Sequence, residues 1–220
     1  MADYKAIHGK NIQSLASDLD NAEGEGQIWF NTTSSDYKTI VKVAGSWATG
    51  GAMTTARARL AGAGTREAAL AFGGLTSTQV DNSEEYNGTA WAEGNNLNTA
   101  RRNLGSAGTQ TAGLAMGGYI PGSPVDGAAT EEYGGTSWTN GNDMNTARHG
   151  LAGAGTQTAS LAFGGNPTKN ESEEYDGTNW TEGDNLNSGR RFLGGAGTQT
   201  AGLAFGGTPP NSALAESYDG

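Results

Sequence analysis

The sequence predicts an all-β protein: about four four-stranded blades of a β-propeller, or part of a larger array of such blades, behind a short N-terminal segment. Three observations carry this expectation. An apolar stretch ending in a glycine pair occurs four times, as Leu70-Ala71-Phe72-Gly73-Gly74, Leu114-Ala115-Met116-Gly117-Gly118, Leu161-Ala162-Phe163-Gly164-Gly165 and Leu203-Ala204-Phe205-Gly206-Gly207. Its intervals of 44, 47 and 42 residues fall in the period range of propeller blades. No segment sustains a helical apolar period.

Each glycine pair is followed by an acidic-aromatic strand ending in Tyr86, Tyr133, Tyr175 or Tyr218. A tight turn comes next, as in Asp176-Gly177, and Asp-Gly is a strong hairpin signal. A tryptophan opens the following strand at Trp91, Trp138 and Trp180, and Trp47 holds the same place ahead of the first unit. Ten residues after each tryptophan stands an arginine: Arg57, Arg101, Arg148 and Arg190. The unit then runs through a small-residue strand such as Ala152-Gly153-Ala154-Gly155. Such residues fit where backbones crowd near a central axis, while the Trp and Phe rings fill the space between neighbouring sheets. One blade cannot bury its apolar side chains alone, and stacked blades can.

Composition narrows the function. The chain has 220 residues, 37 of them Gly, and a net charge of −10. With no basic stripe to neutralise phosphates, nucleic acid and anionic membranes are disfavoured as partners. No cysteine is present, which removes thiol chemistry and Cys-ligated zinc. The N-terminus lacks the long apolar run of a secretory signal or a membrane-spanning helix, so membrane insertion is not expected. A chain acting outside a cell would need another route, such as release in a particle on lysis.

No catalytic constellation, metal site or cofactor is expected. Adjacent glutamates on a strand (Glu84/Glu85, Glu131/Glu132, Glu173/Glu174) point to opposite faces and do not form an acid/base pair. A structural role is expected for both: each repeated Arg bonds loop carbonyls or one of these glutamates, in its own or a neighbouring blade. His8 and His149 match no ligand or triad pattern. The glycine runs at 62–64 and 194–197 lack the Lys-Ser/Thr of a phosphate loop. The acidic loops at Asn142-Asp143 and Asp184-Asn185 lack the alternating Asp of a calcium loop. Asp176 to Trp180 is similar to the Asp-box turn of sialidases, but its Asp-to-Trp spacing is too short. The repeated tryptophans could stack on sugars if exposed, and at fixed blade positions they read as core.

The unit resembles the kelch repeat, through its Gly-Gly strand, Glu-x-Tyr strand, Trp and strand-opening Arg over residues 47–220. It departs from that pattern in the Ala-Gly-Ala-Gly strand and in Gly or Asn where prolines often flank the Trp loop. The N-terminal residues are similar to the start of kelch-like tail-fibre and virion proteins of marine bacteriophages. The residues concerned are Met1 to Gly9, Gly26 to Thr33 and Gly45-Ser46-Trp47. This resemblance implies a virion structural protein, non-enzymatic and without cofactor. Its partners would be other virion proteins and a host receptor or glycan, in a symmetric oligomeric assembly. A cellular kelch-type interaction scaffold is the alternative, and a propeller enzyme acting on glycans a weaker one.

The expected organisation is a segment at 1–26 that attaches to the particle or forms a tail, a β-hairpin with the Trp47 strand at 27–47, and repeats at 48–220. The Trp47 strand either joins the last blade and closes the ring, or belongs to a longer array. Because the units are so alike, recognition is expected where they vary, in the loops after each Gly-Gly. Those loops carry Thr76 and Gln79, Tyr119 and Pro121, Asn166 and Lys169, and Pro209 and Asn211.

Overall fold

A computed structural model of the chain describes residues 13–15, 28–39, 47–120, 122 and 126–220. Every regular element among them is a β-strand. Two units are distinguished, residues 1–49 and 50–220.

In the first unit, β2 (Ile28–Asn31) and β3 (Asp36–Thr39) form the expected antiparallel hairpin. Asn31 shapes its turn, its side-chain oxygen accepting from the Thr33 and Ser34 amides at 2.9 and 3.0 Å. The Phe30 and Tyr37 rings meet edge-on across the hairpin at 5.2 Å. A third strand, β1 (Gln13–Leu15), pairs in parallel with β2. Nothing in the polar run before it announces a strand. Trp47 is fully exposed, and the rest of the expected Trp47 strand, Gly45 and Ser46, lies outside the described residues. The rest of the 1–26 segment lies outside the described residues.

The second unit is a four-blade β-propeller. Blade 1 comprises β4 (Ala61–Gly64), β5 (Ala69–Phe72), β6 (Ser83–Tyr86) and β7 (Trp91–Glu93). Blade 2 comprises β8 (Gly105–Gly108), β9 (Gly113–Tyr119), β10 (Asp126–Tyr133) and β11 (Trp138–Asn140). Blade 3 comprises β12 (Ala152–Gly155), β13 (Ser160–Phe163), β14 (Ser172–Tyr175) and β15 (Trp180–Gly183). Blade 4 has three strands, β16 (Gly194–Thr198), β17 (Ala201–Phe205) and β18 (Ala215–Tyr218). Every blade is an antiparallel meander in sequence order. The tyrosine at the end of each third strand faces the tryptophan that opens the fourth: Tyr86 with Trp91, Tyr133 with Trp138, Tyr175 with Trp180.

The small-residue strands β4, β8, β12 and β16 are the inner strands and pack on one another in turn. Glycine is required there: a Cβ on Gly153 would stand 2.5 Å from the Ser106 carbonyl oxygen, and one on Gly195 would stand 2.7 Å from that of Gly153. Leu60, Leu104, Leu151 and Leu193, each just before an inner strand, line one shared cavity. The 47-residue interval has a structural origin. Its extra residues lengthen β9 and β10 into a longer hairpin, with a bulge between Gly127 and Thr130. The insertion was expected as loop alone.

The core lies between blades. Phe72 of blade 1 meets Trp138 of blade 2 at 4.9 Å between ring centres. Leu70, Phe72, Leu114, Met116, Leu161 and Phe163 are all at most 2% exposed. Burying each such side chain contributes on the order of 1.5–3 kcal/mol.

Candidate functional site

Meander topology sorts the connections onto two rims. The β-turns within each blade's first and last hairpins lie at one end. The loops after Gly-Gly lie at the other, beside the segments that link one blade to the next. Each linking segment carries the repeated arginine, and that arginine is consumed internally. Arg57 pairs with Glu84 at 3.1 Å, Arg101 with Glu131 at 3.0 Å, Arg148 with Glu173 at 2.9 Å and Arg190 with Glu216 at 2.7 Å. The first three pairs are sealed from solvent, with side chains at most 1% exposed. The guanidinium also donates to carbonyls of its blade: Arg101 Nη1 to Gly117 at 2.9 Å, Arg190 Nη1 to Gly206 at 2.8 Å and to Leu214 at 3.0 Å. The second carboxylate oxygen accepts a linker amide, from Thr54, Asn98, Asn145 or Asn187, at 2.6 Å each time. Burial lowers the pKa of Arg57, Arg101 and Arg148 and raises that of Glu173, each against the pull of its partner.

The second glutamate of each pair faces the next blade. Glu85 accepts from the Tyr133 hydroxyl, Glu132 from Tyr175 at 2.6 Å and Glu174 from Tyr218. Burial, then the carboxylate beside it, pushes the Tyr133 and Tyr175 hydroxyls well above their ordinary range and that of Tyr218 up to about 12. The indole of Trp138 donates to Ser83 Oγ and that of Trp180 to Thr130 Oγ1, both at 2.9 Å across a blade interface. The Gly-Gly pairs also join blades. Gly73 has φ of 64° and no room for a Cβ, which would lie 2.7 Å from the Arg101 carbonyl oxygen. The Gly74, Gly118 and Gly165 amides donate to the carbonyls of Arg101, Arg148 and Arg190 at 2.8, 2.9 and 2.8 Å.

A backbone chain that the sequence does not announce runs along the loop rim. The Asn103 amide donates to Arg59, Gly150 to Asn103 and Phe192 to Gly150, at 2.9, 2.7 and 2.7 Å. All four residues have positive φ, between 53° and 65°. This is a conformation that a β-propensity reading of Arg or Phe does not suggest.

Above this chain, blades 2 to 4 bring together a cluster of mixed character. His149 Nδ1 lies 2.5 Å from Asp126 Oδ1. The His149 ring meets Tyr119 edge-on at 5.6 Å and Phe192 at 6.2 Å. The Arg102 guanidinium stands 4.6 Å over the Tyr119 ring, within the range of a cation–π contact. Asn166 bonds to Asp126 and Arg191, and Arg191 lies 5.5 Å from the Phe192 ring. Phe192 is half exposed and the others are partly so. Aromatic faces ringed by fixed donors and acceptors are the chemistry that binds sugars or planar carboxylates. Tyr119 and Asn166, two of the loop residues singled out above, belong to this cluster. His149, Phe192 and the two arginines were missed, because their meeting depends on the stacking of three blades. Lys169 shares the loop of Asn166, Thr76, Gln79, Pro209 and Asn211 sit on the same rim in other loops, and Pro121 lies outside the described residues. Among the described residues no group of His, Asp and Glu could hold a metal ion. No family model matches the chain, and no curated protein matches it.

Proposed function

We propose that this chain is a non-catalytic display protein, a structural component of a virion appendage such as a tail fibre. It attaches through its N-terminal residues and presents the loop rim of its propeller to a host-surface glycan or receptor. The observation that carries this reading is the division of labour among polar groups. The repeated arginines and their glutamates are spent on internal ion pairs, while the partly exposed cluster of Tyr119, His149, Arg191 and Phe192 is assembled from positions that differ between units. The virion assignment is supported by the similarity of the N-terminal residues and the kelch-like unit to tail-fibre proteins.

The test is immunogold labelling of intact particles with antibody raised against the purified chain, together with binding of the chain to host cells. Label on an appendage, and binding that falls at least ten-fold in Phe192→Ala and Tyr119→Ala, are the expected results. Label confined to host cytoplasm would replace this reading with the cellular scaffold. Turnover of a glycan by the purified chain would replace it with the enzyme.

A further inference from the structure

The positive charges of this acidic chain are unevenly spent. Its net charge is −10, and all eight of its arginines lie among the described residues. Five are paired with carboxylates: Arg57, Arg101, Arg148 and Arg190 inside their blades, and Arg66 with Glu67 in the turn between β4 and β5. Arg59, Arg102 and Arg191 have no ion pair among the described residues. These three fall in one place in the unit, just after the repeated arginine and ahead of the inner strand, and His149 holds that place in the third unit. Every unit therefore sets a base at this link, although the links differ otherwise: Ala58-Arg59, Arg102-Asn103, His149-Gly150 and Arg191-Phe192.

The fold ties the four links together. Backbone bonds run from Asn103 to Arg59, from Gly150 to Asn103 and from Phe192 to Gly150. The next residue of each link, Leu60, Leu104, Leu151 or Leu193, lines the cavity of about 270 Å³ between the inner strands. The bases thus stand in an arc on the loop rim beside that cavity. Within the arc one pairing occurs twice. Arg102 stands over the Tyr119 ring, and none of its side-chain nitrogens donates to a described residue. Arg191 stands by the Phe192 ring and gives one bond, to Asn166. His149 lies between the two pairs and touches both rings. The Phe192 ring is turned back over Gly150, where a Cβ would lie 2.7 Å from it. Asp126, the carboxylate of this cluster, is already engaged by His149 and Asn166. Two guanidiniums against one carboxylate leave the cluster positive on an acidic protein.

We infer that this arc binds an acidic oligosaccharide, a chain of pyranoses that bear carboxylates. Arg102 with Tyr119 forms one subsite and Arg191 with Phe192 the other, and His149 joins them. A guanidinium offers five donors in a rigid fork that matches a carboxylate, and stacking on an aromatic ring leaves the edge of that fork free. Donors without acceptors are costly, and a ligand carboxylate supplies the acceptor missing at Arg102. A bare anion such as phosphate would use the arginines and leave the ring faces idle. A neutral sugar would use the rings and leave the charge unmatched. A carboxylated pyranose uses both, and a chain of them uses both subsites. The inference rests on the reading of the loop rim as a glycan-binding surface and narrows it to one class of glycan.

NMR titration of the purified chain with tetramers of galacturonate, glucuronate and mannuronate, each beside its methyl ester, tests it. At least one acid tetramer should bind about ten-fold or more tightly than its ester. That affinity should fall by a similar factor in Arg102→Gln and in Arg191→Gln. Arg102→Lys, which keeps the charge and loses the fork, should recover only part of it. Arg66→Gln removes the same charge from the opposite rim and should change nothing. Circular dichroism checks that the variants fold, and the unaltered chain gives a second measure, because its affinity should drop as salt is raised. Binding of esters and acids alike, or affinity indifferent to salt, would overturn the inference. Inorganic phosphate binding as tightly as every acid tetramer would overturn it too, leaving a bare anion site. If the acid preference fails while host-cell binding still falls in Tyr119→Ala, the glycan reading of the rim stands and this narrowing of it is wrong. If Tyr119→Ala leaves host-cell binding intact as well, both fail together.

Discussion

Blades 3 and 4 have nearly the same sequence and different surroundings. Leu161-Ala162-Phe163-Gly164-Gly165 and Leu203-Ala204-Phe205-Gly206-Gly207 occupy the same strand of the unit, yet the first is buried and the second is half open. A Cβ on Gly164 would strike the Arg190 carbonyl oxygen at 2.6 Å, while one on Gly206 would find nothing nearer than 3.8 Å. The difference is the next blade. Stability here belongs to interfaces, and a unit's own sequence sets only what it offers to its neighbours.

That comparison can be broken most severely at the buried ion pairs. Arg148→Met strands Glu173 in a sealed site and should cost about 3–5 kcal/mol in urea unfolding. Arg190→Met should cost less, because Glu216 keeps 13% exposure. Equal losses would mean that burial by the next blade does not set the cost. Next come the phenylalanines. Phe163→Ala should destabilise by about 3–5 kcal/mol, and Phe205→Ala by under about 1 kcal/mol, read from denaturation at dilute concentration. The hydroxyls give a smaller contrast. Ser83→Ala leaves the buried Trp138 indole without its acceptor and should cost about 1–3 kcal/mol. Ser172→Ala, where no indole bonds the hydroxyl, should cost less than Ser83→Ala.

Alkaline titration sharpens the same point. Tyr133, Tyr175 and Tyr218 hold their protons to higher pH in the folded chain than when unfolded, Tyr218 to about 12. Their contribution to stability is complete below the unfolded tyrosine range near 10 and is lost as pH rises through the folded values. Ultraviolet absorbance should show these hydroxyls ionising above the unfolded tyrosine range near 10. Tyr133→Phe and Tyr175→Phe should remove part of the late phase, and an unchanged titration would count against the Tyr–Glu bonds.

Much of the fold was legible because the repeat is. Gly-Gly, Tyr and Trp recur in register, and the periodicity alone placed four units and their strand order. Each Arg was expected to bond loop carbonyls or a glutamate, and the structure gives it both, with Glu84, Glu131, Glu173 and Glu216 as the acidic partners. Strand alternation explains why the neighbouring Glu85, Glu132 and Glu174 serve tyrosines instead. What was not legible depends on three-dimensional neighbours. Exposure of Leu203 and Phe205 cannot be read from residues identical to buried ones. The His149 cluster draws on blades 2, 3 and 4, and its backbone support needs Arg59 and Phe192 at positive φ, for which neither side chain is a signal.

The central claim is that a blade is held by its neighbour, and native-state hydrogen exchange measured by mass spectrometry tests it most directly. The purified chain would be used at dilute concentration. Amides of β13 and β14, inside the array, should exchange only on near-global unfolding, while those of β17 and β18 should exchange at least ten-fold faster through local opening. Equal protection of the two pairs of strands would contradict the account.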